Sequence, residues 1–318
     1  RNCRRKSRAV AFAPTLTRGM TDYKISPDFD GKLPELKQPI LVAMMTGWID
    51  ASAAAAAAME ALITETNAIP LIEFDGDTFV DYRARRPLMQ LRDGVITKLD
   101  WSAPRIMVGH DANNEAVLLL TGPEPDSRWQ HFAQCVVELS EKLNVRRMLG
   151  MGAYPIATPH TRAVKISCTS PDAHLSLLLP FIKSSVDVPA GMEAVLEQAM
   201  FNAGIQSVGL WAQVPHYVAS MSYPAAAAAL IAAVCDTGGI SVDGESLREQ
   251  AGAQRERLDE LVRGNSEHLA MLAQLETAFD NMHSDNGIPM SGFGGGPLPS
   301  GDELAAELEQ FLRDNQAD

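Results

Sequence analysis

The chain has 318 residues, 46% of them hydrophobic and 21% charged, with a formal net charge of −13. These values fit an ordinary globular protein with a sizeable core, in one big domain or two smaller ones. The acidic balance excludes nonspecific nucleic-acid binding and adhesion to anionic membranes, since both need a positive surface.

Residues 1–19 stand apart from the rest. Arg1, Arg4, Arg5, Lys6, Arg8 and Arg18 are basic, and no acid precedes Asp22. This stretch reads either as a transit-type leader or as an extension foreign to the protein. The second reading is favoured, with Met20 as the natural start, because residues 20–23 open like a normal polar N-terminus.

Residues 39–45 (PILVAMM) form a continuous apolar run suited to a buried strand. A turn at 46–50 follows, in which Asp50 can cap the next helix. Residues 51–66 are rich in helix formers. Residues 69–74 read as a second strand, so the opening unit is β-α-β, a parallel pair joined by a helix. Residues 75–92 are charged and aperiodic and read as a loop. Strands are expected at 95–99, 105–108 and 116–120, the last two as a hairpin.

A loop at 122–126 leads into an amphipathic helix at 127–143. Strands at 146–153 and 207–214 each meet a proline, which blocks further pairing. A histidine follows each, His160 and His216, just past the strand ends where α/β proteins place ligand sites. Between them lie a strand at 164–168, an irregular or helical stretch at 171–181, and a helix at 191–202 that stops at Gly204. Residues 224–235 form an alanine-rich helix with proline in its first turn. That run is too short to span a bilayer.

Beyond 235 the character changes. Leu247, Ala251, Leu258, Leu261 and Val262 mark one helical stripe, and Leu269, Leu272, Leu275, Phe279 and Met282 another. Capping chemistry at 263–266 separates them. This helical hairpin either packs on the main domain or projects as an interaction arm. A Gly/Pro-rich segment from 284 and a short acidic helix at 302–313 follow. The expected organisation is therefore a 1–19 extension, an α/β domain at 20–235, the hairpin at 236–283 and a tail at 284–318.

Cys3, Cys135, Cys168 and Cys235 are too scattered for a disulfide framework or a zinc site, which fits a reducing, cytoplasmic setting. No metal and no cofactor is expected. The signatures of lipases, zinc proteases, P-loops and dinucleotide folds are missing. Residues 292–297 have the glycines of a phosphate loop but lack the following lysine, and read as tail. Asp75, Asp77 and Asp81 read as a salt-bridge cluster with Arg83, Arg85 and Arg86.

Gly47, Trp48 and Asp50 sit where helix N-terminal amides can hold an anion, or where a tight turn packs an indole. His160 and His216 fit a general acid/base pair, and His160 with Arg162 fits an anion site. A loop-bracing hydrogen bond is the commoner role for either histidine. Asp172, His174, His110 and Ser167 form a triad only if the fold gathers them.

Four segments occur in order: Gly47-Trp48-Ile49-Asp50-Ala51, Gly122-Pro123-Glu124-Pro125-Asp126 with Trp129, Tyr154-Pro155 through His160-Thr161-Arg162, and Trp211 through Pro215-His216-Tyr217. Together they resemble the proteasome assembly chaperone 2 family in its bacterial, actinobacterial-type branch, over roughly residues 38 to 280. The resemblance implies a three-layer α/β/α sandwich similar to the purine nucleoside phosphorylase (phosphorylase/hydrolase-like) fold. It also implies self-association, with a homotrimer favoured, and a protein partner such as the proteasome.

Archaeal relatives can engage the proteasome through a terminal hydrophobic-Tyr-any-residue tail, which 314–318 do not match. The hairpin is the expected substitute. The leading reading is a non-enzymatic homo-oligomeric assembly or scaffold factor. The alternatives are a hydrolase- or phosphorylase-type enzyme, or a protein binding a small anion or nucleotide in a pocket at the strand ends. That pocket would gather Trp48, Asp50, Tyr154, His160, Arg162 and His216.

Overall fold

The computed structural model describes residues 22–283. The 1–19 extension, the 292–297 segment and the helix expected at 302–313 lie outside the described residues. In chain order the first half contains β1 (Tyr23–Ile25), β2 (Ile40–Thr46), α1 (Ala54–Glu65), β3 (Ile69–Phe74), α2 (Gly76–Phe79), β4 (Leu88–Arg92), β5 (Val95–Asp100), β6 (Arg105–His110), β7 (Ala116–Pro123) and α3 (Trp129–Lys142). The second half contains β8 (Arg147–Ile156), β9 (Ile166–Thr169), α4 (Ala173–Leu178), α5 (Met192–Asn202), β10 (Gln206–Pro215), α6 (Pro224–Gly238), α7 (Glu245–Arg263) and α8 (Ser266–His283).

Eight strands form one sheet in the order β1-β3-β6-β7-β2-β8-β10-β9. The centre, β7-β2-β8-β10, is parallel, and the flanks pair antiparallel. A strand covered on both faces must be apolar throughout, and Ile40 through Met45 are all buried. Its alternation sorts the two cores. Ile40, Val42 and Met44 pack with the alanines of α1 and α6. Leu41, Ala43 and Met45 pack with Phe132, Val136 and Leu139 of α3 and with Met192, Leu196 and Met200 of α5. The result is an α/β/α sandwich.

Three expectations change. β3 is not beside β2, because the β6-β7 hairpin lies between them and β3 pairs with β6 instead. The 75–92 segment is not all loop, since it contains α2 and β4. The strand expected at 95–99 leaves the main sheet and pairs only with β4, as a two-stranded ribbon. The two strands also run slightly past their predicted ends, β8 to Ile156 and β10 to Pro215, with Pro155 opposite Val214. On its other side β8 pairs with β2 only from Arg147 to Gly150.

The helical hairpin packs rather than projects. Leu247 and Leu258 of α7 are buried in the same core as α6, and Leu272 and Phe279 of α8 are also buried. Asn265 caps α8, its Oδ1 accepting from the Glu267 amide at 2.8 Å.

Candidate functional site

β2 and its neighbour β7 run parallel, yet the helices that follow them, α1 and α3, lie on opposite faces. Such a switch opens a crevice at the carboxyl ends of the strands, where open α/β sheets bind ligands. Here the ends are Thr46 and Pro123, which lie opposite each other. A polar cavity of about 330 Å³ sits there, lined by Thr46, Gly122 and Pro123 with Glu73, Arg85, Trp101 and Arg105. Arg85 pairs with Asp126, and Arg105 lies opposite Glu73 on the neighbouring strand. Trp101 is exposed and meets Tyr82 edge to face at 4.6 Å.

Behind this cavity, buried carboxyls clamp the strand ends. β2 leaves β8 after Ala43, and the Met45 amide donates to Glu193 Oε1 at 2.9 Å. Glu124 reaches the other way and accepts from the Met192 amide, at the start of α5, at 2.5 Å. Gly47 has φ +131 and lies so close to Arg85 and Glu124 that a Cβ would come within 3.2 Å of both. Trp48 rests on Gly191, where a Cβ would meet the indole at 2.7 Å.

Burial pushes the Glu193 carboxyl well above its usual range. The Met45 amide opposes this, while the charges of Glu197, Glu124 and Asp50 add to it. Burial likewise raises Glu197 to about 7, against the hydroxyl of Thr169, which donates to Oε2 at 2.9 Å. Glu124 is also raised by burial, opposed by the Met192 amide and Arg85.

Asp50 does cap the following helix, but at an offset. The chain first makes a tight turn at Ala51–Ala53, with Ser52 at φ 63 and Ala53 at φ 51. The Asp50 carboxylate then accepts from the amides of Ala55 and Ala56 at 2.8 and 3.0 Å. Burial raises its pKa despite those amides. Ser52 bolts the turn to the helical turn that follows β10, donating from its amide to the Ala219 carbonyl and from Oγ to the Val218 carbonyl. Asp50 and Ser52 line a second cavity, of about 390 Å³, with Ser220 and Ser222.

His160 and His216 each meet the Tyr217 ring edge to face. His160 is buried. Its Nδ1 lies 2.7 Å from the Tyr217 hydroxyl and its Nε2 lies 3.2 Å from Asp259 Oδ1 on α7. The same hydroxyl accepts from the His160 amide. One assignment satisfies all three contacts: Tyr217 donates to Nδ1 and Nε2–H donates to Asp259. Burial holds the Tyr217 phenol up to about 12, so it stays protonated and serves as a brace.

Arg162 grips α8. Its Nε and Nη2 donate to the two carboxylate oxygens of Asp280 at 2.8 and 2.6 Å, and its Nη1 to Glu276 at 3.0 Å. His216 is exposed. Tyr154 points across β10, accepting from Gln213 at 2.9 Å and meeting Ser167 at 3.1 Å.

The residues of the expected single pocket are therefore spread out, with Asp50 at the second cavity and Tyr154 over β10 and β9. Gly47, Trp48 and Glu124 gather at the strand ends. His160 and Arg162 meet the hairpin, with Tyr217 beside His160 and His216 next to the Tyr217 ring. The suggested triad is scattered: Asp172 caps α4, Ser167 lies on β9, and His110 ends β6 far across the sheet. The aspartate cluster does not form as expected either, because Arg85 turns to Asp126. Arg105, Trp101, Glu193 and Glu197 belong to no motif visible in the sequence. The one available signal was a pair of glutamates four apart beside the apolar positions Met192, Leu196 and Met200.

The fold and site define a mixed-sheet α/β/α protein with a polar crevice at its switch point and a docked helical hairpin. The PAC2 family model matches residues 44–262, and the chain belongs to that family. Among solved structures, it is similar to a Mycobacterium tuberculosis protein of unknown function at 31% identity, over 83% of this chain and 93% of that one, with a TM-score of 0.74. It is also similar to a Mycobacterium tuberculosis proteasome-assembly chaperone homologue at 33% identity, over 74% and 99%, with a TM-score of 0.68. A PAC2 family protein from Streptomyces avermitilis is similar at 30% identity, over 74% and 99%, with a TM-score of 0.66. None of the curated proteins matches the chain.

Proposed function

We propose that this protein is a non-enzymatic homo-oligomeric assembly or scaffold factor, a trimer in its working form, with a protein partner such as a proteasome. The β4-β5 ribbon carries this reading. Its pairing puts Met89 and Leu99, then Leu91 and Ile96, on one face, and all four are 43–57% exposed. A flat apolar face outside the core marks a surface that another chain covers. The chaperone homologue, a third identical, supports the choice of partner. The unpaired thiols of Cys135, Cys168 and Cys235 support a reducing, cytoplasmic setting.

Sedimentation velocity tests the reading. The wild type should run as a trimer, and a Leu91→Asp/Ile96→Asp variant as a folded monomer. A monomeric wild type, or a variant that still associates, overturns it.

A second reading, a small-anion or nucleotide site at the strand ends, is supported by the cavity with Arg85 and Arg105. It moves the expected cation from Arg162, which is committed to α8. Inorganic phosphate, nucleotides and dicarboxylates are the ligands to screen. One of them should raise the melting temperature of the wild type but not of Arg105→Ala. A flat response in both counts against the site.

A further inference from the structure

Asp22, His131 and Cys135 form a cluster outside both sites. His131 and Cys135 are four residues apart on α3, so one helical turn stacks their side chains on the same face. Asp22, immediately before β1, reaches them from the sheet edge. The imidazole Nε2 lies 3.0 Å from the Asp22 Oδ1. The imidazole nitrogen, the thiol sulfur and the carboxylate oxygen all lie within 4.8 Å of one another.

We propose that these three side chains bind a divalent zinc-like ion, with a water completing a tetrahedron. One nitrogen, one sulfur and one oxygen is a donor set that zinc accepts. Zinc bonds of about 2.0–2.3 Å put ligand atoms roughly 3.3–3.7 Å apart, so closing the site takes side-chain shifts of about 1 Å.

Charge fits as well. Binding deprotonates the thiol: M²⁺ joins Cys135 Sγ, one proton leaves to solvent, and neutral His131 and ionised Asp22 complete the shell. The site is then electrically neutral, as a half-buried position requires. Without metal the thiol is held protonated, pushed up to about 11 by burial and then by the Asp22 and Glu138 charges.

Access and orientation are in place. The side chains of His131 and Asp22 are 42% and 34% exposed, which leaves a solvent route and room for the water. Cys135 closes the protein side at 5%. The Phe79 ring packs on the imidazole at 5.9 Å and holds its plane. Asp22 is further fixed by its carbonyl, which accepts from the Asp75 amide at 2.9 Å. No two cysteines are close, so the sequence carries no usual zinc signature; the signal it does carry is His131 and Cys135 one helical turn apart.

Cobalt(II) titration of the reduced full chain near pH 7.5 tests the site. The wild type should bind one equivalent and show a thiolate-to-cobalt band in the near ultraviolet, which zinc then bleaches. Cys135→Ser should lose the band. His131→Ala, an exposed change that leaves the core intact, should weaken cobalt binding at least about tenfold. Circular dichroism confirms that each variant is folded. A wild type without the band overturns the proposal. So does a band retained in Cys135→Ser, or a His131→Ala variant that binds as well as the wild type.

Discussion

Glu197 sits at about 7 because its carboxyl is buried and meets only the Thr169 hydroxyl. In the unfolded chain it returns to its ordinary value near 4.5. The folded state therefore holds a proton that the unfolded state gives up between those values. Stability contributed by the neutral acid is complete below about 4.5 and is lost as pH rises through about 7. Replacing it with a neutral isostere should remove that loss. Glu197→Gln should gain on the order of 3 kcal/mol over the wild type at pH 8 and nothing at pH 4. Urea midpoints across that range read the difference, and parallel curves would refute it. Tyr217 offers a second case. Tyr217→Phe strips the partner from the His160 amide and from Nδ1 together, and should cost about 1–3 kcal/mol in urea unfolding. Neither role was legible in the sequence. A glutamate on a helix reads as a solvated face, and only the packing of α5 across β8, β10 and β9, with bare Gly209 beneath its carboxyl, buries it.

At the scale of elements, the hairpin is held by a few polar contacts above a modest apolar seam. Arg162 forks onto Asp280 and reaches Glu276, which holds its pKa above the usual arginine range, the Asp280 hydrogen bond being the largest cause. Arg162→Ala should loosen α8. Hydrogen exchange should rise across Ser266–His283 and across the 157–165 loop, while the β8 and β10 amides stay protected. Added salt should move the wild type part of the way in the same direction. Unchanged exchange in α8 would mean that Leu272 and Phe279 hold it unaided. The helices of this region were readable because their apolar stripes keep a clean period and end in capping residues. β4 was not, since Leu88–Arg92 neither alternates nor enters the core, and its exposure gives no burial pattern to read.

At the scale of the molecule, strand identities were far more legible than strand order. Buried parallel strands announce themselves as apolar runs, as Ile40–Thr46 does. Nothing local tells Ile69–Phe74 that a later hairpin will stand between it and β2. The same holds for the site. Each strand-end segment was visible, but the division of those segments between a crevice at β2-β7 and a brace under α7-α8 depends on contacts distant in the chain. The layered architecture came from four ordered segments that resemble a family, and the family match over 44–262 agrees with it.

The brace around His160 also sets a timetable. Its partner Asp259 comes 99 residues later, and the Asp280 that Arg162 grips comes 118 later. At roughly 5–20 residues per second, the loop after β8 emerges from the ribosome on the order of ten seconds before the helices that hold it. Once β10 and α6 have followed, the nascent chain carries all eight strands of the sheet with one flank still open, and the hairpin then closes that flank.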